Sequence, residues 1–347
     1  MRALQDFRAG AVLNAGRIGI TAEAIQAFAA AYDPQIQHLD DAAARLTPLR
    51  GLAASGWHTC SLLTQQVKRR LKDRNIYLEL PAIEGVRWLH PVRPNEVLEV
   101  VVRWNSNCTS PGCSASSGWS VTMEALNQAG DLVLRMNGNA LLSTKRSSRD
   151  ALRRHALRCA HHLQRTPRTE RRPGGHLVRY FEEVELGDEI ALGHYDFTEA
   201  AVNSYSSIVD GLDEISAPEA QAHAEPPPGL VNNWHVIGAW MRSIVDYYHT
   251  ECDWLAARQR PVPVLGPAAG AYALSWCTPV RIGDRITFTS WAEHKVHLGT
   301  SSEWGLLIAG AEGVNQNGEV VVSFYPQFLL QKRLTRGVLR PPAPDRS

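Results

Sequence analysis

The stretches Asp33-Pro34-Gln35-Ile36-Gln37-His38 and Gly51-Leu52-Ala53-Ala54-Ser55-Gly56-Trp57-His58 are the most informative part of this 347-residue chain. The first follows an apolar run with helical spacing, and the second opens another such run. A carboxylate and an imidazole five positions apart, placed between two helices, can converge on one reacting carbon. Asp33 and His38 therefore form a candidate proton-transfer pair.

The sequence around these stretches occurs twice in the chain. The equivalent segments are Thr21 and Thr198, Phe28 and Tyr205, Trp57-His58 and Trp234-His235, all 177 positions apart, and then Pro91-Val92-Arg93 and Pro279-Val280-Arg281, 188 positions apart. The second copy thus holds eleven additional residues after His235, which we expect to line a substrate tunnel between the copies. Two copies of one fold are the simplest explanation of this repeat.

Each copy has the same order of predicted elements. A threonine, Thr21 or Thr198, caps a first helix with one apolar face, and a second helix follows at about 57–69 or 234–249. Strands are then predicted at 97–104, 118–127 and 131–143, and again at 285–293, 302–314 and 319–331. Helices followed by an antiparallel sheet predict an α+β lobe, in which the sheet wraps a largely apolar helix.

Composition limits the class of protein. At 44% hydrophobic residues the chain can bury a large core, and its length favours two domains. It has no run of about 18 apolar residues and no signal-peptide pattern at its start, so we expect no membrane segment and a cytoplasmic location. The six cysteines form no CxxC pair, and the nearest two, Cys108 and Cys113, are interpreted as loop residues. The scattered cysteines argue against a disulfide framework or a zinc ribbon.

A basic segment separates the two copies. Between Lys145 and Arg172 there are ten Lys or Arg residues against two acidic ones. It is either a solvated connector or a surface that attracts the phosphates of coenzyme A or an acidic carrier protein. It has no interleaved aromatic residues to stack on bases, so nucleic acid is not an expected partner. The predicted organisation is a catalytic lobe at 1–142, a basic linker at 143–175, a degenerate lobe at 176–335 and a Pro-rich tail at 336–347.

The first lobe resembles a known family. The residues that carry the resemblance, between positions 7 and 145, are Gly10, Gly16, Thr21-Ala22-Glu23, Phe28, Tyr32-Asp33-Pro34-Gln35, His38-Leu39-Asp40, Ala42-Ala43, Gly51-Leu52, Ser55-Gly56-Trp57-His58-Thr59 and Pro91-Val92-Arg93-Pro94. This series is similar to the MaoC-type acyl dehydratases and (R)-specific enoyl-CoA hydratases, which have the hotdog fold. Residues 178 to 332 resemble the same family more weakly. The resemblance implies an α+β double hotdog, with two lobes packed like the two subunits of a single-lobe dimer. It also implies thioester substrates and neither a metal nor a redox cofactor.

The resemblance also implies roles for particular residues. Asp33 and His38 match the catalytic pair, and Gln35 stands where some members have Asn and would orient the pair or a water molecule. Ser55, Gly56 and Trp57 open the central helix, whose unpaired N–H groups would hold the thioester oxygen. His58 has a counterpart after the second tryptophan, so a packing or hydrogen-bonding role is expected for it.

The second copy lacks part of this pattern. Asp210 corresponds to Asp33, but Ile215 stands where His38 would be, and an isoleucine exchanges no protons. His223 is a weak candidate to replace it. The sequence therefore predicts chemistry in the first lobe and a supporting role for the second.

The function that this pattern favours is reversible dehydration of a 3-hydroxyacyl thioester to a 2-enoyl thioester. The substrate would be an acyl-CoA or an acyl-carrier-protein thioester, and the chain could form a homodimer of double hotdogs. One alternative is a specialised dehydratase or cyclase that acts on a carrier-bound acyl chain in a biosynthetic pathway. Another is a non-catalytic hotdog partner subunit. Acyl length, pathway, direction and the residue that takes the alpha proton stay open at this point.

Overall fold

The computed structural model describes residues 7–107, 116–144, 170–210, 229–299 and 302–333. Its helices are α1 (Ala22–Tyr32), α2 (Ile36–Leu39), α3 (Asp41–Ala44), α4 (Gly56–Lys72), α5 (Glu199–Asp210) and α6 (Asn233–Ala256). Its strands are β1 (Val12–Ile20), β2 (Tyr77–Trp88), β3 (Glu96–Asn107), β4 (Ser116–Leu126), β5 (Leu132–Ser143), β6 (Arg172–Pro173), β7 (Asp188–Asp196), β8 (Leu265–Trp276), β9 (Arg285–His297), β10 (Trp304–Asn315) and β11 (Val320–Gln331).

The predicted helix starts are confirmed. The Thr21 hydroxyl accepts a hydrogen bond from the Ala24 N–H at 3.2 Å, and Thr198 caps α5 in the same way through Ala201. Each threonine satisfies one of the N–H groups that the first turn of a helix leaves free. The central helix α4 is buried on most of its circumference, with twelve of its 17 residues inaccessible to solvent. Such a helix is stable only if a sheet surrounds it.

The strands form one sheet of eleven in the order β1-β3-β4-β5-β2-β8-β11-β10-β9-β7-β6. All neighbours are antiparallel except β6 and β7. The two halves of the order mirror each other about the β2–β8 pair, so the sequence repeat is also a structural one. A helix wrapped by an antiparallel sheet occurs twice, and the expected α+β double hotdog is confirmed.

The lobes join where β2 pairs with β8, two strands that the sequence did not predict. Both contain proline and glycine, which weaken a strand pattern. The join needs small residues because the backbones approach closely there. A Cβ on Gly270 of β8 would lie 2.6 Å from the Val86 carbonyl oxygen of β2. Strands β1 and β7, which open the lobes, were also not predicted.

The eleven additional residues of the second copy do not line a tunnel, contrary to expectation. They lengthen the central helix, since α6 has 24 residues where α4 has 17, and they lengthen the loop that follows it. The added turns of α6 are partly exposed, and Trp254 within them is 44% exposed. The extra length therefore lies at the solvent-exposed surface of the second lobe.

Parts of the predicted organisation lie outside the described residues. These parts are 145–169 of the basic linker, Cys108, Cys113 and the Pro-rich tail. Residues Arg172–Pro173, at the end of the predicted linker, belong to β6 and pair with β7. The domain boundaries stay a prediction. No helix in the described ranges is both long enough and apolar enough to cross a bilayer.

Two equivalent histidines pack in the same way in the two lobes. The ring of His58 stacks on Phe28 with centroids 4.4 Å apart, and the ring of His235 stacks on Tyr205 at 4.5 Å. Both are fully buried. Burial lowers the pKa of each to about 3, and His38 adds to the effect at His58. The packing role expected for His58 agrees with this arrangement.

These buried histidines predict that the fold loses stability in acid. Since the pKa of His58 in the folded state lies below its ordinary value of about 6.5, the unfolded chain binds the proton first as the pH falls. Below pH ~6.5, each such histidine removes up to about 1.4 kcal/mol of unfolding free energy per pH unit, until its folded pKa is reached.

The measurement is urea unfolding of wild type and His58→Phe between pH 7.5 and 4.5. We expect the stability of the variant relative to wild type to rise by about 1.4 kcal/mol per pH unit below pH ~6. The exposed His249 of α6 is the control, and His249→Gln should leave the slope unchanged. Equal slopes for wild type and His58→Phe would contradict a neutral, buried His58.

Candidate active site

Asp33 lies at the end of α1 and is only 3% exposed. Its backbone N–H donates to the Ala29 carbonyl at 2.9 Å and so closes the last turn of the helix. The carboxylate accepts two hydrogen bonds. The Ser55 hydroxyl donates to Oδ2 at 2.6 Å, and the Gln35 amide donates to Oδ1 at 2.8 Å. The side chain is thus held in one orientation before any substrate arrives.

His38 lies in the short helix α2 and is also buried. Its Nδ1 is 2.7 Å from the carbonyl oxygen of Ala53. A carbonyl only accepts, so this contact requires the proton on Nδ1 and leaves Nε2 with a lone pair. Nε2 is 3.6 Å from Oδ2 of Asp33, which is too long for a direct hydrogen bond. Oδ2 already accepts from Ser55 but keeps a second lone pair, so Oδ2 and Nε2 can both bind a third group placed between them.

The helix α4 begins beside this pair without a side-chain cap. Ser55 occupies the N-cap position, but its hydroxyl is used on Asp33 and makes no capping bond. The N–H groups of the first turn therefore keep their capacity to bind an anion, and the helix dipole adds to it. Gly56 is required here, because a Cβ would lie 2.3 Å from the ring of Trp88.

Arg93 fixes the loop that leads into α4. Its guanidinium donates to the carbonyl oxygen of Gly51 at 2.7 Å and of Leu52 at 3.1 Å, and it also contacts the Leu49 oxygen. The loop is further pinned where the Ala54 N–H donates to Val92 at 2.9 Å. These bonds hold the loop before Gly56 and so fix the position of Gly56 relative to Asp33 and His38.

These groups meet at a cavity of about 240 Å³. It is lined by Asp33, Gln35, Gln37, His38, Leu49, Ala53, Ala54, Gly56, Trp57, Thr59, Trp88, Leu89, His90, Pro91, Val92, Val133, Met241, Pro267 and Ala268. The last three come from α6 and β8 of the second lobe, so both lobes build the cavity. A proton-transfer pair and a helix N-terminus at one mostly apolar cavity can protonate, deprotonate and polarise one small substrate.

The structure brings together the residues singled out in the sequence. Asp33, His38, Gln35, Gly56 and Trp57 all line the cavity, and Ser55 stands behind Asp33. Two further residues were missed. The Gln37 amide donates to the Gln35 oxygen at 2.9 Å and so extends the chain of bonds that holds Asp33. Trp88 covers Gly56 from the end of β2. The alternation of Gln35 and Gln37 could have indicated this chain of hydrogen bonds. No sequence signal pointed to Trp88, because it ends a strand that the sequence did not predict.

Comparison with known proteins identifies the family. No curated protein matches this chain. Residues 8–111 match the family model described as MaoC like domain. The chain belongs to the MaoC-like family. A MaoC-like dehydratase from Rhodospirillum rubrum is 30% identical over 41% of this chain and 97% of its own length, with a TM-score of 0.38.

Two solved structures match nearly the whole chain of this MaoC-like protein. One, from Chloroflexus aurantiacus, is described as a MaoC domain protein dehydratase and has a TM-score of 0.64 at 14% identity, covering 95% of this chain and 97% of its own. The other is a conserved hypothetical protein from Mycobacterium tuberculosis with a double hotdog fold. Its TM-score is 0.62 at 14% identity, with 94% of this chain and 98% of its own covered. Both show the double hotdog fold of this chain.

The second lobe treats the start of its central helix differently from the MaoC-like first lobe. Asn232 stands where the first lobe has Ser55, and its side chain accepts from the Trp234 N–H at 2.9 Å. This bond occupies a donor at the helix start, which Ser55 leaves free. The side chain of Asp210, together with Ile215 and His223, lies outside the described residues. The capped helix start is therefore a structural difference between the two lobes at the position equivalent to the candidate site.

The two N-cap residues offer a matched pair of substitutions. Asn232→Ala removes a capping bond, which costs about 1 kcal/mol of stability, and should leave kcat/KM within about twofold. Ser55→Ala removes the donor that orients Asp33, and we expect a loss of about tenfold in kcat or more. Thermal unfolding and thioester turnover, measured on both variants, check this. Equal effects of the two substitutions on kcat would contradict the different uses of the two side chains.

The described residues offer no evident metal site. No group of three or more His, Cys, Asp or Glu side chains within the described ranges is arranged to hold a metal ion. Cys108 and Cys113 fall outside those ranges. What the described side chains can supply at the cavity is acid-base chemistry and hydrogen-bond donation.

Proposed function

We propose that the chain interconverts a 3-hydroxyacyl thioester and a 2-enoyl thioester by reversible loss of water, in the cavity of the first lobe. The observation that carries this proposal is the position of Asp33 and His38. Their facing atoms are 3.6 Å apart beside the uncapped start of α4. Membership of the MaoC-like family, whose relatives include proteins described as dehydratases, supports the same class of reaction.

The reaction needs an oxyanion site because a proton alpha to a thioester is removed only if charge on the carbonyl oxygen is stabilised. The Gly56 N–H would donate to that oxygen, and the positive end of the α4 dipole would lower the energy of the enolate. Any side chain at position 56 would collide with Trp88, and Gly56 itself lines the cavity in which the substrate would lie.

In the hydration direction, Asp33 and Nε2 of His38 would hold one water molecule between them. The water oxygen bonds to the beta carbon, one water proton passes to Nε2, and the carbonyl oxygen takes up negative charge. The enolate then collapses as that proton is delivered to the alpha carbon, so atoms and charge balance. We assign the proton to His38 because the Ala53 carbonyl fixes its Nε2 as the accepting atom.

The proposed substrate is a thioester of coenzyme A or of an acyl carrier protein. A specialised dehydratase or cyclase acting on a carrier-bound chain uses the same chemistry, and competition between the two thioester forms separates these alternatives. If crotonyl-CoA and the crotonyl thioester of a carrier protein have equal kcat/KM, the site recognises the acyl group alone. Pathway and homodimer formation stay predictions.

The test is hydration of crotonyl-CoA by the purified chain, followed as loss of the enoyl-thioester absorbance. One proton-transfer pair on one face of the substrate should give syn addition, and the family resemblance implies the (R)-3-hydroxyacyl product. Chiral analysis of the product gives the configuration of the beta carbon, and the same reaction in D₂O, which places one deuterium on the alpha carbon, distinguishes syn from anti addition. Turnover by the chain alone would rule out the alternative that the chain is a non-catalytic partner subunit. No turnover of any enoyl thioester, or a predominantly (S) product, would contradict the proposal.

A further inference from the structure

Behind the candidate site, the cavity ends on an aromatic wall. The wall is Trp57 and Trp88, whose ring centroids are 4.8 Å apart at an interplanar angle of 85°. Trp57 is in the first turn of α4 and is 3% exposed. A thioester oxygen held at Gly56 would place the reacting carbons beside these two rings. The acyl tail therefore meets the wall soon after the beta carbon.

The second lobe supports this wall from behind. Trp57 has Trp234, Trp240 and Phe324 as aromatic neighbours, with ring centroids at 6.4, 6.2 and 6.0 Å. All three are nearly inaccessible to solvent. Trp234 is tied in place because its indole N–H donates to the Thr64 hydroxyl at 3.0 Å. Trp57 cannot swing aside without displacing a packed cluster, so the end of the cavity is fixed.

The volume agrees with the position of the wall. About 240 Å³ is below the ~300–1,000 Å³ typical of pockets for drug-sized ligands. Met241, Pro267 and Ala268 of the second lobe line the cavity as well and limit its size on that side. Beyond Trp57, the contact between the lobes is occupied by the rings of Trp234, Trp240 and Phe324.

We propose, resting on the function proposed above, that this site takes short-chain acyl thioesters and excludes medium-chain and long-chain ones. The second lobe sets this limit by holding Trp57 in place, without supplying a group that reacts. The size of this one cavity, rather than contacts along a tunnel, would then determine which chain lengths are accepted.

The experiment compares four-carbon, eight-carbon and twelve-carbon 2-enoyl-CoA substrates. A methylene that does not fit a filled pocket costs roughly 10–200-fold in kcat/KM, so we expect a loss of at least about 100-fold between the four-carbon and eight-carbon substrates. In Trp57→Leu the wall recedes, and in Met241→Ala the opposite side opens. Each should raise the ratio of eight-carbon to four-carbon kcat/KM by at least about tenfold.

The control is Trp119→Leu. Trp119 is a buried tryptophan of the same lobe that packs near Trp104 and does not line the cavity. It should lower stability and leave the chain-length ratio at the wild-type value. The proposal is overturned if wild type hydrates all three lengths within about threefold, or if neither Trp57→Leu nor Met241→Ala changes the ratio.

Binding separates this proposal from the reaction it rests on. Calorimetric titration with saturated butanoyl-CoA and octanoyl-CoA reads the size of the cavity without turnover. Tighter binding of the four-carbon ligand in the absence of any hydration would refute the proposed function and support the size limit. Equal binding of both lengths, or binding of neither, would refute the size limit.

Discussion

Asp33→Asn and His38→Gln should each lower kcat for enoyl-thioester hydration by about 10²–10⁴-fold. Both replacements nearly keep the shape of the side chain. Asp33→Asn removes the carboxylate charge that would hold and orient the water, and His38→Gln removes the imidazole that would take its proton. The amide oxygen that Asp33→Asn introduces can still accept from Ser55, so binding of the substrate should change less than kcat. The measurement is steady-state hydration of a short enoyl-CoA, with circular dichroism to show that the fold is kept.

Matched controls use the same substitutions elsewhere. Asp131→Asn changes an exposed aspartate in the turn between β4 and β5, and His249→Gln changes an exposed histidine of α6. Both should leave kcat/KM within about twofold, as expected for surface positions. If Asp33→Asn or His38→Gln kept more than about a tenth of wild-type kcat, the pair would not be the proton-transfer groups.

Gly56→Ala should lower kcat by about 10²–10³-fold, the usual effect of losing one oxyanion donor. The reason is steric, because the added Cβ would lie 2.3 Å from the Trp88 ring and 2.5 Å from its Nε1. Either Trp88 or the start of α4 must move, and the N–H of residue 56 then no longer meets the thioester oxygen. Rapid-mixing kinetics on the four-carbon substrate separate the loss in kcat from any change in binding.

Two further variants test the cause. Gly85→Ala, in β2, adds a Cβ with nothing within 4 Å and should leave turnover unchanged. The double variant Gly56→Ala with Trp88→Ala removes the collision and should recover at least about tenfold of the lost kcat, as expected for two coupled positions. Full activity of Gly56→Ala, or no recovery in the double variant, would show that the contact with Trp88 does not set the position of the helix start.

Much of the fold could be predicted because the repeat places equivalent residues in equivalent positions. Thr21 and Thr198 cap their helices as expected, and the turns at Gly130 and Gly318 both have positive φ angles, 85° and 78°. Local chemistry decides such features: a hydroxyl can cap only the turn that follows it, and glycine favours left-handed backbone. The stacked pairs His58 with Phe28 and His235 with Tyr205 repeat in the same way.

The components of the candidate site could also be predicted, but not their arrangement. The sequence singled out Asp33, His38 and the start of α4 from their spacing. Their geometry depends on contacts over longer separations. The Ala53 carbonyl selects the tautomer of His38, and Ser55 turns its hydroxyl to Asp33 instead of capping its helix. No local pattern distinguishes Ser55 from Asn232, which does cap its helix.

The sequence by itself determined that there are two related lobes, that a central helix runs through each, and that the first holds the candidate proton-transfer pair. These follow from hydrophobic periodicity and from residue types whose effect extends over only a few positions of the chain. Only the tertiary structure decided that β2 and β8 join the lobes and that aromatic residues of the second lobe close the cavity behind Trp57. The physical reason is that both features depend on close contact between segments far apart in the chain. At such contacts the residues on the opposite segment determine whether a glycine or a tryptophan fits.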